Sequence, residues 1–353
     1  MNLEQRIDAF VKLGAFFKQF SLRQIKKSDS SEFNNTLFDA FKMQIDRSQE
    51  FNGWFTKENV LISFESWSDA LSAENLNLWT STYALNKIEE PKNVAIIMAG
   101  NIPLVGFHDF LSVLICGHNA LVKLSSSDKH FLPLVAKFLE YHNPYFKNKI
   151  TFTDEKLTGF DAVIATGSTN SARYFEYYFG KYPHIIRKNR NGVAILTGNE
   201  TTEELELLGD DIFQYFGLGC RSVSKLFVPK NYDFDILFSG LYKFRSIINY
   251  KKYHNNYDYN KAVYLMSLYK ILENGFVILK EDKSYASPIA TLFYEYYDSF
   301  DALVSRLHSE SEQIQCIVCN ENVVDFVKFG QTQRPKLWNY ADGVDTVEFL
   351  LKI

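Results

Sequence analysis

Apolar residues in roughly the first ninety positions recur at intervals of three and four. Ile7, Phe10, Val11 and Gly14 share one face, and Phe33, Leu37, Phe38, Phe41 and Ile45 share another, which is the spacing of amphipathic helices. No strand-like run interrupts this part, and Trp54, Trp67 and Trp79 predict a packed helical layer. The pattern changes at Pro91. From Asn93 to Thr197, short apolar runs at Val94–Ala99, Ala120–Leu124, Ile150–Thr153, Ala162–Thr166 and Val193–Leu196 alternate with other stretches. Those between them, Leu104–Cys116, Leu132–Tyr141 and Ser168–Phe179, carry helical periodicity. Strand, helix, strand, repeated, predicts βαβ units and a mostly parallel sheet with helices on its faces. Such sheets bind ligands beyond the carboxyl ends of their strands. Gly100-Asn101, Ser125-Ser126 and Gly167-Ser168, which follow the first, second and fourth runs, are therefore the positions of interest.

A second α/β block begins at Thr201. Glu203–Phe216 predicts a helix with Thr201 or Thr202 as N-cap and an acidic first turn. Lys225–Val228 predicts a strand, Tyr259–Leu272 a helix, and Phe276–Leu279, Ile289–Tyr296 and Ile314–Val318 further strands. The tail, Pro335 to Ile353, holds an Asp342-Gly343 turn and a last apolar stretch.

Composition narrows the class. A chain of 353 residues suits two domains, and 46% hydrophobic with 23% charged residues is a globular balance. Lys+Arg 38 against Asp+Glu 42 gives a net charge of −4, which argues against a nucleic-acid or anionic-membrane partner bound through bulk charge. The 31 Phe and 21 Tyr accompany abundant Asn, Lys and Ile, so the aromatics carry no functional assignment. Four cysteines do not make a disulfide framework. Charges interrupt every apolar stretch of the first twenty residues, unlike a signal peptide. The richest apolar run, Ile102 to Cys116, contains His108 and Asp109 and is shorter than the ~20 residues of a membrane span. The expected setting is cytoplasmic, with no membrane span.

Among residues that could carry chemistry, Phe216-Gly217-Leu218-Gly219-Cys220-Arg221-Ser222 is the sharpest feature. Two glycines permit a tight turn and leave space around the sulfur, and a cation such as Arg221 favours thiolate. By itself the segment also fits a buried structural cysteine beside a helix-ending glycine. Cys316 and Cys319 form half a zinc-site spacing with no second pair, and together with Cys116 they read as core, so no metal is expected. Asn101, just past the first strand, could donate to an oxyanion or fill a turn. Gly167 and Ser168 open a helix and could hold phosphate oxygens or simply cap it. Lys123 ends the second strand, and Ser125, Ser126, Ser127 and Asp128 follow it, a cation and hydroxyls suited to ribose or phosphate. Neither G-x-G-x-x-G nor a Walker A motif is present.

The order of these features resembles the aldehyde dehydrogenase superfamily over roughly Asn93 to Asn320. Asn101-Ile102-Pro103, the helix after it, Gly117-His118-Asn119 and Val122-Lys123-Leu124-Ser125 are similar to that family's Asn-x-Pro run, helix, Gly-Asn turn and Val-x-Lys-Pro-Ser strand end, with Leu124 where Pro is common. Ala165-Thr166-Gly167-Ser168 is similar to its Phe-Thr-Gly-Ser signature, Gly217 to Cys220 to its Gly-Gln-x-Cys motif, and Ser287-Pro288-Ile289 to its Gly-Pro-Val. In that context Cys220 reads as the nucleophile. Two departures follow. Hydrolytic members carry a Glu-Leu-Gly-Gly segment whose Glu activates water; here the place reads Arg187-Lys188-Asn189-Arg190-Asn191-Gly192-Val193, three cations and no carboxylate. The Glu that normally holds the nicotinamide ribose is replaced by Ser284.

Without a base for water, an acyl-enzyme persists until a thiol or a hydride attacks it. Within the superfamily the chain most resembles the fatty acyl-CoA reductases of the bioluminescence (LuxC) type, including the tail Asp342-Gly343-Val344-Asp345. The resemblance implies an aldehyde dehydrogenase-like α/β fold of two domains with a Rossmann-like parallel sheet. Residues 1–198 would comprise the N-terminal helices and a dinucleotide-binding domain, 199–334 the catalytic domain presenting Cys220 at the domain cleft, and 335–353 a tail. It implies an NADPH-dependent acyl-CoA reductase: Cys220 as nucleophile, Asn101 as oxyanion donor, Lys123, Ser125 and Ser126 at the adenosine ribose, Gly167 and Ser168 at the pyrophosphate. The three cations would suit an anionic coenzyme A ester. The substrate would be an acyl-CoA or acyl-protein thioester, and an acyl-transferring partner or a homo-oligomer is compatible with the resemblance. Two alternatives stand beside it: an acyltransferase or acyl-carrier subunit without dinucleotide chemistry, and NAD(P)-dependent aldehyde oxidation.

Overall fold

Four helices open the chain, α1 (Leu3–Phe17), α2 (Asn34–Phe51), α3 (Lys57–Ala70) and α4 (Ala73–Ser81). Three of them start on side-chain caps: Asn2 in a reciprocal capping box with Gln5, Thr56 accepting from the Asn59 amide, and Ser72 from the Asn75 amide. The computed structural model describes residues 1–353 except Ser30, Glu32, Ile88, Glu89, Asn322 and the side chain of Lys87. The chain divides into two compact units, Met1–Lys188 with Lys336–Ile353, and Asn189–Pro335.

In the first unit, β1 (Asn93–Ile97), α5 (Phe107–Cys116), β2 (Asn119–Lys123), α6 (Phe131–His142), β3 (Ile150–Phe152), β4 (Ala162–Thr166), α7 (Thr169–Phe179) and β5 (His184–Arg187) follow in order. The strands form a parallel sheet in the order β3-β2-β1-β4-β5. Alternation along β1 divides the core. Val94 and Ile96 join Val122 and Ile164 in the large cluster shared with the helices, while Ala95 and Ile97 pack with Val163, Phe175 and Phe179 on the α7 side. Many of the aromatics are core material: Phe17 meets Phe64 edge-on with centroids 4.7 Å apart, and Phe16 meets Phe41 at 5.0 Å. Strand β5 has no counterpart in the sequence expectation, because four residues are too short to show a period. Helix α5 starts three residues later than expected because Leu104 takes a left-handed backbone, φ 57°, which no helix continues through.

In the second unit, β6 (Asn191–Ile195), α8 (Thr202–Phe213), β7 (Val223–Pro229), α9 (Phe234–Leu241), α10 (Lys251–Met266), β8 (Ile271–Glu273), β9 (Ile278–Glu281), β10 (Thr291–Tyr297), α11 (Phe300–Ser309) and β11 (Ile314–Val318) build a six-stranded sheet. Its order is β11-β6-β7-β10-β9-β8, parallel except for the β8–β9 pair. Two corrections arise here. The run at 193–196 belongs by pattern to the first α/β block, yet β6 pairs with β7 and β11 in this second sheet. The helix expected over Tyr259–Leu272 ends at Met266; Leu268 turns left-handed at φ 58° and the chain returns as the edge strand β8. Apolar residues at 263–272 mimic a helical period while serving two elements. Among the described residues no helix is long and apolar enough to cross a membrane.

The tail returns to the first unit as α12 (Thr346–Leu351) against α5. Arg187, at the end of β5, is buried there in an ion pair with the equally buried Asp109 of α5 and donates to the Thr346 hydroxyl at 2.9 Å. Asp109→Ala would leave that guanidinium buried without its counter-charge, so we expect a loss of about 3–5 kcal/mol in urea unfolding. A loss below about 1 kcal/mol would mean that water reaches Arg187.

Candidate active site

Three strand ends converge on the carboxyl edge of the first sheet. β1 lies between β2 and β4, and Ile97 is in register with Lys123 of β2 and Ala165 of β4. The strand order reverses at β1, which makes this edge a topological switch point. Gly100-Asn101, Lys123 to Ser126, and Gly167-Ser168 are thereby brought to adjacent strand ends.

Gly100 is glycine for a steric reason. A Cβ there would lie 2.6 Å from the Ser125 hydroxyl oxygen and 3.1 Å from the Asp128 amide nitrogen, so the loop after β1 presses directly on the turn after β2. That turn closes with the Asp128 amide donating to the Ser125 carbonyl at 3.1 Å, while the Ser125 hydroxyl accepts from the Ser127 amide at 3.2 Å. Ser126 is exposed at its tip and Asn101 is exposed on the loop beside it. Asp128 accepts from the Leu104 amide at 2.7 Å, and burial pushes its carboxyl up to about 7. Lys123 donates to the Glu155 carbonyl at 2.9 Å. Ser168 is the N-cap of α7, accepting from the Ser171 amide at 3.2 Å. A Cβ on Gly167 would fall 2.8 Å from the Ser171 Cβ and 2.9 Å from the Phe175 ring, so the approach to this helix start is bare backbone.

Cys220 lies in the second unit, on the turn that enters β7. Ahead of it Tyr215, Phe216 and Gly217 are all left-handed, with φ 54°, 58° and 74°. For the two non-glycine residues this costs on the order of 1–2 kcal/mol each. Burial of Tyr215 and stacking of Phe216 on Tyr250, centroids 4.5 Å apart, hold them. The turn then closes with the Ser222 amide donating to the Gly219 carbonyl at 3.0 Å, leaving Cys220 and Arg221 at its centre. Cys220 is half-buried, whereas Cys116, Cys316 and Cys319 are buried. The thiol of Cys316 rests against the Arg221 carbonyl at 3.6 Å, and burial pushes that thiol up to about 11.

A distant segment clamps the turn. Arg221 Nε donates to the Thr332 carbonyl at 2.6 Å, and Gln333 Nε2 donates to the Ser222 hydroxyl at 3.1 Å. The segment is tied in turn to Asp211 of α8, which accepts from the Gly330 and Thr332 amides at 2.7 and 2.9 Å and whose carboxyl burial raises to about 6. No local pattern signals this support, because its partners are more than a hundred residues apart. The Asp128 carboxylate was visible in sequence as a neighbour of the serines, but its bond to Leu104 was not.

The three cations at 187–190 do not form an anion-binding cluster. Arg187 is committed to Asp109, Lys188 pairs with Glu176 at 2.9 Å, and Arg190 donates to the Ser311 carbonyl at 3.0 Å. Ser284, exposed, donates its amide to Asp282 at 2.9 Å. Among the described residues no group of three or more His, Cys, Asp or Glu side chains is arranged to hold a metal ion.

No protein-family model matches the chain, and no curated protein matches it in sequence. Solved structures do match. Aldehyde dehydrogenase 21 of Physcomitrella patens, solved with succinate, superposes with a TM-score of 0.67 at 12% identity over 100% of this chain and 84% of its own. The fold is aldehyde dehydrogenase-like. An aldehyde dehydrogenase of Bacillus cereus in complex with NAD+ gives 0.59 at 13% identity, over 92% of this chain and 73% of its own. An NADP-dependent enzyme of E. coli gives 0.61 at 10% identity, over 92% and 74%. Structures with an aldehyde dehydrogenase-like fold thus include both an NAD+ complex and an NADP-dependent enzyme, so fold alone does not choose between the cofactors.

Proposed function

We propose that this chain reduces acyl thioesters, fatty acyl-CoA esters foremost, to aldehydes through an acyl-enzyme on Cys220 with NADPH as reductant. The observation that carries the reading is the strained turn. Three successive left-handed residues and a clamp from 330–333 present one half-buried cysteine in an otherwise buried set, and strain of this kind is retained where function needs it.

The residues at the first sheet's edge fit a dinucleotide. The bare Gly167 backbone, the amides starting α7 and the Ser168 hydroxyl would hold its pyrophosphate; Lys123, Ser125 and Ser126 would hold the adenosine ribose. When bound, the reduced nicotinamide supplies the hydride that the acyl carbon accepts. The protein's own part begins with the Cys220 sulfur attacking the thioester carbonyl. A new C–S bond forms, the negative charge passes to the carbonyl oxygen, and its collapse breaks the old C–S bond and releases the coenzyme A thiolate. Asn101 and the Cys220 backbone amide would donate to that oxyanion, one such donor contributing about 3–4 kcal/mol. After reduction the same donors hold the thiohemiacetal oxygen until the aldehyde leaves and Cys220 recovers its electron pair. No carboxylate stands at 187–193 to activate water, which favours this outcome over release of an acid.

The test follows NADPH absorbance and aldehyde release with a panel of acyl-CoA esters. Turnover by wild type and not by Cys220→Ala supports the reading. Acid formed from aldehyde and NADP+ would make the protein an oxidising dehydrogenase, and acyl transfer to thiols without NADPH consumption an acyltransferase.

Ser126 bears on cofactor choice. The resembled family often has a Glu here, which receives the ribose hydroxyls of NAD and repels a 2′-phosphate; a hydroxyl with Lys123 nearby would accept one. By isothermal titration, wild type is expected to favour NADPH over NADH by roughly tenfold, and Ser126→Glu to lose that preference. Equal affinities in wild type would show that this corner does not read the phosphate.

A further inference from the structure

Leu104 is buried and left-handed, three residues beyond Asn101 and on the same loop. A leucine does not take that backbone unaided. Its amide donates to Asp128 Oδ2 at 2.7 Å, and the other end of the loop, Gly100, is pressed onto Ser125 and the Asp128 amide. The Asp128 amide itself closes the turn onto the Ser125 carbonyl. One residue therefore closes its own turn with its backbone amide and ties the neighbouring loop to that turn with its carboxyl group.

We propose that Asp128 is a positioning residue that locks the Asn101 loop to the Ser125–Asp128 turn, so that the oxyanion donor and the ribose-binding serines are held as one rigid edge. The inference rests on the function proposed above. It gives a reason for a carboxyl group at a desolvated place: its Oδ2 accepts the Leu104 amide at 2.7 Å, and a backbone amide at a strained residue needs a fixed acceptor. The Ser63 hydroxyl donates to the Pro103 carbonyl at 2.9 Å, so the loop is held on its other side too. Asp128 supplies the bond at the residue whose backbone is strained.

The experiment compares wild type with Asp128→Ala, Asp128→Leu and Asp128→Asn. Leucine fills the carboxylate's space without an acceptor and suits a desolvated site, which guards against a failure to fold; asparagine keeps an acceptor oxygen. Amide hydrogen exchange over residues 100–106 reads the lock directly. Acylation of Cys220 by an acyl-CoA, followed by mass spectrometry, reads Asn101 placement, and NADPH titration reads the serines. In the two variants without an acceptor, exchange at Leu104 is expected to quicken by about 10²-fold or more and acylation to slow by roughly 30–100-fold. The Asp128 backbone amide still closes the serine turn in every variant, so NADPH affinity should change by less than about threefold, and Asp128→Asn should stay within about threefold of wild type in every readout. Unchanged exchange in both acceptor-free variants overturns the lock. Quickened exchange with acylation at the wild-type rate overturns the positioning role. A wild-type protein that takes up no acyl group overturns the function proposed above, and exchange at Leu104 then still decides whether the lock exists.

Discussion

Incubated with a long-chain acyl-CoA and no reductant, the wild-type protein is expected to gain one acyl group, on the peptide containing Cys220, and Cys220→Ala to gain none. The selectivity follows from burial. Thioester exchange needs a thiolate that can reach the carbonyl carbon. Cys116 is fully buried within α5 and desolvation raises its thiol far above the ordinary range. Cys316 is held against a backbone carbonyl with its thiol near 11, and burial raises Cys319 as well. Burial thus disfavours the thiolate at all three and encloses them, whereas Cys220 is half-exposed on its turn. On the function proposed above, loss of this sulfur should lower thioester-dependent NADPH oxidation by on the order of 10⁴-fold or more, since the other three thiols are buried. An adduct that persists in Cys220→Ala, on Cys116 or Cys316, would overturn the assignment.

Much of the first sheet was legible because a βαβ unit is a local pattern. β4 spans the residues its apolar run predicts, and the glycines, serines, lysine and asparagine after the strands arrive at one edge simply because the strands are parallel and adjacent. In the second unit β11 was equally clear. What failed needed long-range information. β6 reads like the strands before it, and only its pairing with β7 and β11, the latter more than a hundred residues on, assigns it to the second sheet. Arg187 looked like a site cation because a sequence does not show that a carboxylate 78 positions earlier, Asp109, neutralises it in the core. The supports of the Cys220 turn are of the same kind. The glycines beside the cysteine announce a turn, but Asp211, Thr332 and Gln333 hold it across 110 residues or more. Strain at Tyr215 and Phe216 is likewise invisible, since neither residue type favours a left-handed backbone.

Asn101→Ala is expected to lower turnover by roughly 10²–10³-fold while shifting cofactor affinity by less than about threefold. The amide of Asn101 sits on the loop that follows β1, next to the turn bearing Ser125 and Ser126, so two roles compete for it. As an oxyanion donor it acts mainly once negative charge has developed on the carbonyl oxygen, and its loss appears in the rate and not in binding. As a turn residue supporting the dinucleotide edge it would act through NADPH affinity, and its replacement would leave the rate at saturating cofactor near wild type. Gly100 supplies the close approach at one end of this loop and the Asp128–Leu104 bond fixes the other, so the loop keeps both of these supports in the alanine variant. Single-turnover acylation with NADPH titration in parallel separates the two. A rate defect with unchanged affinity makes Asn101 the donor. An affinity defect with an unchanged rate removes it from the oxyanion site and leaves the Cys220 backbone amide as the remaining donor of the pair proposed here.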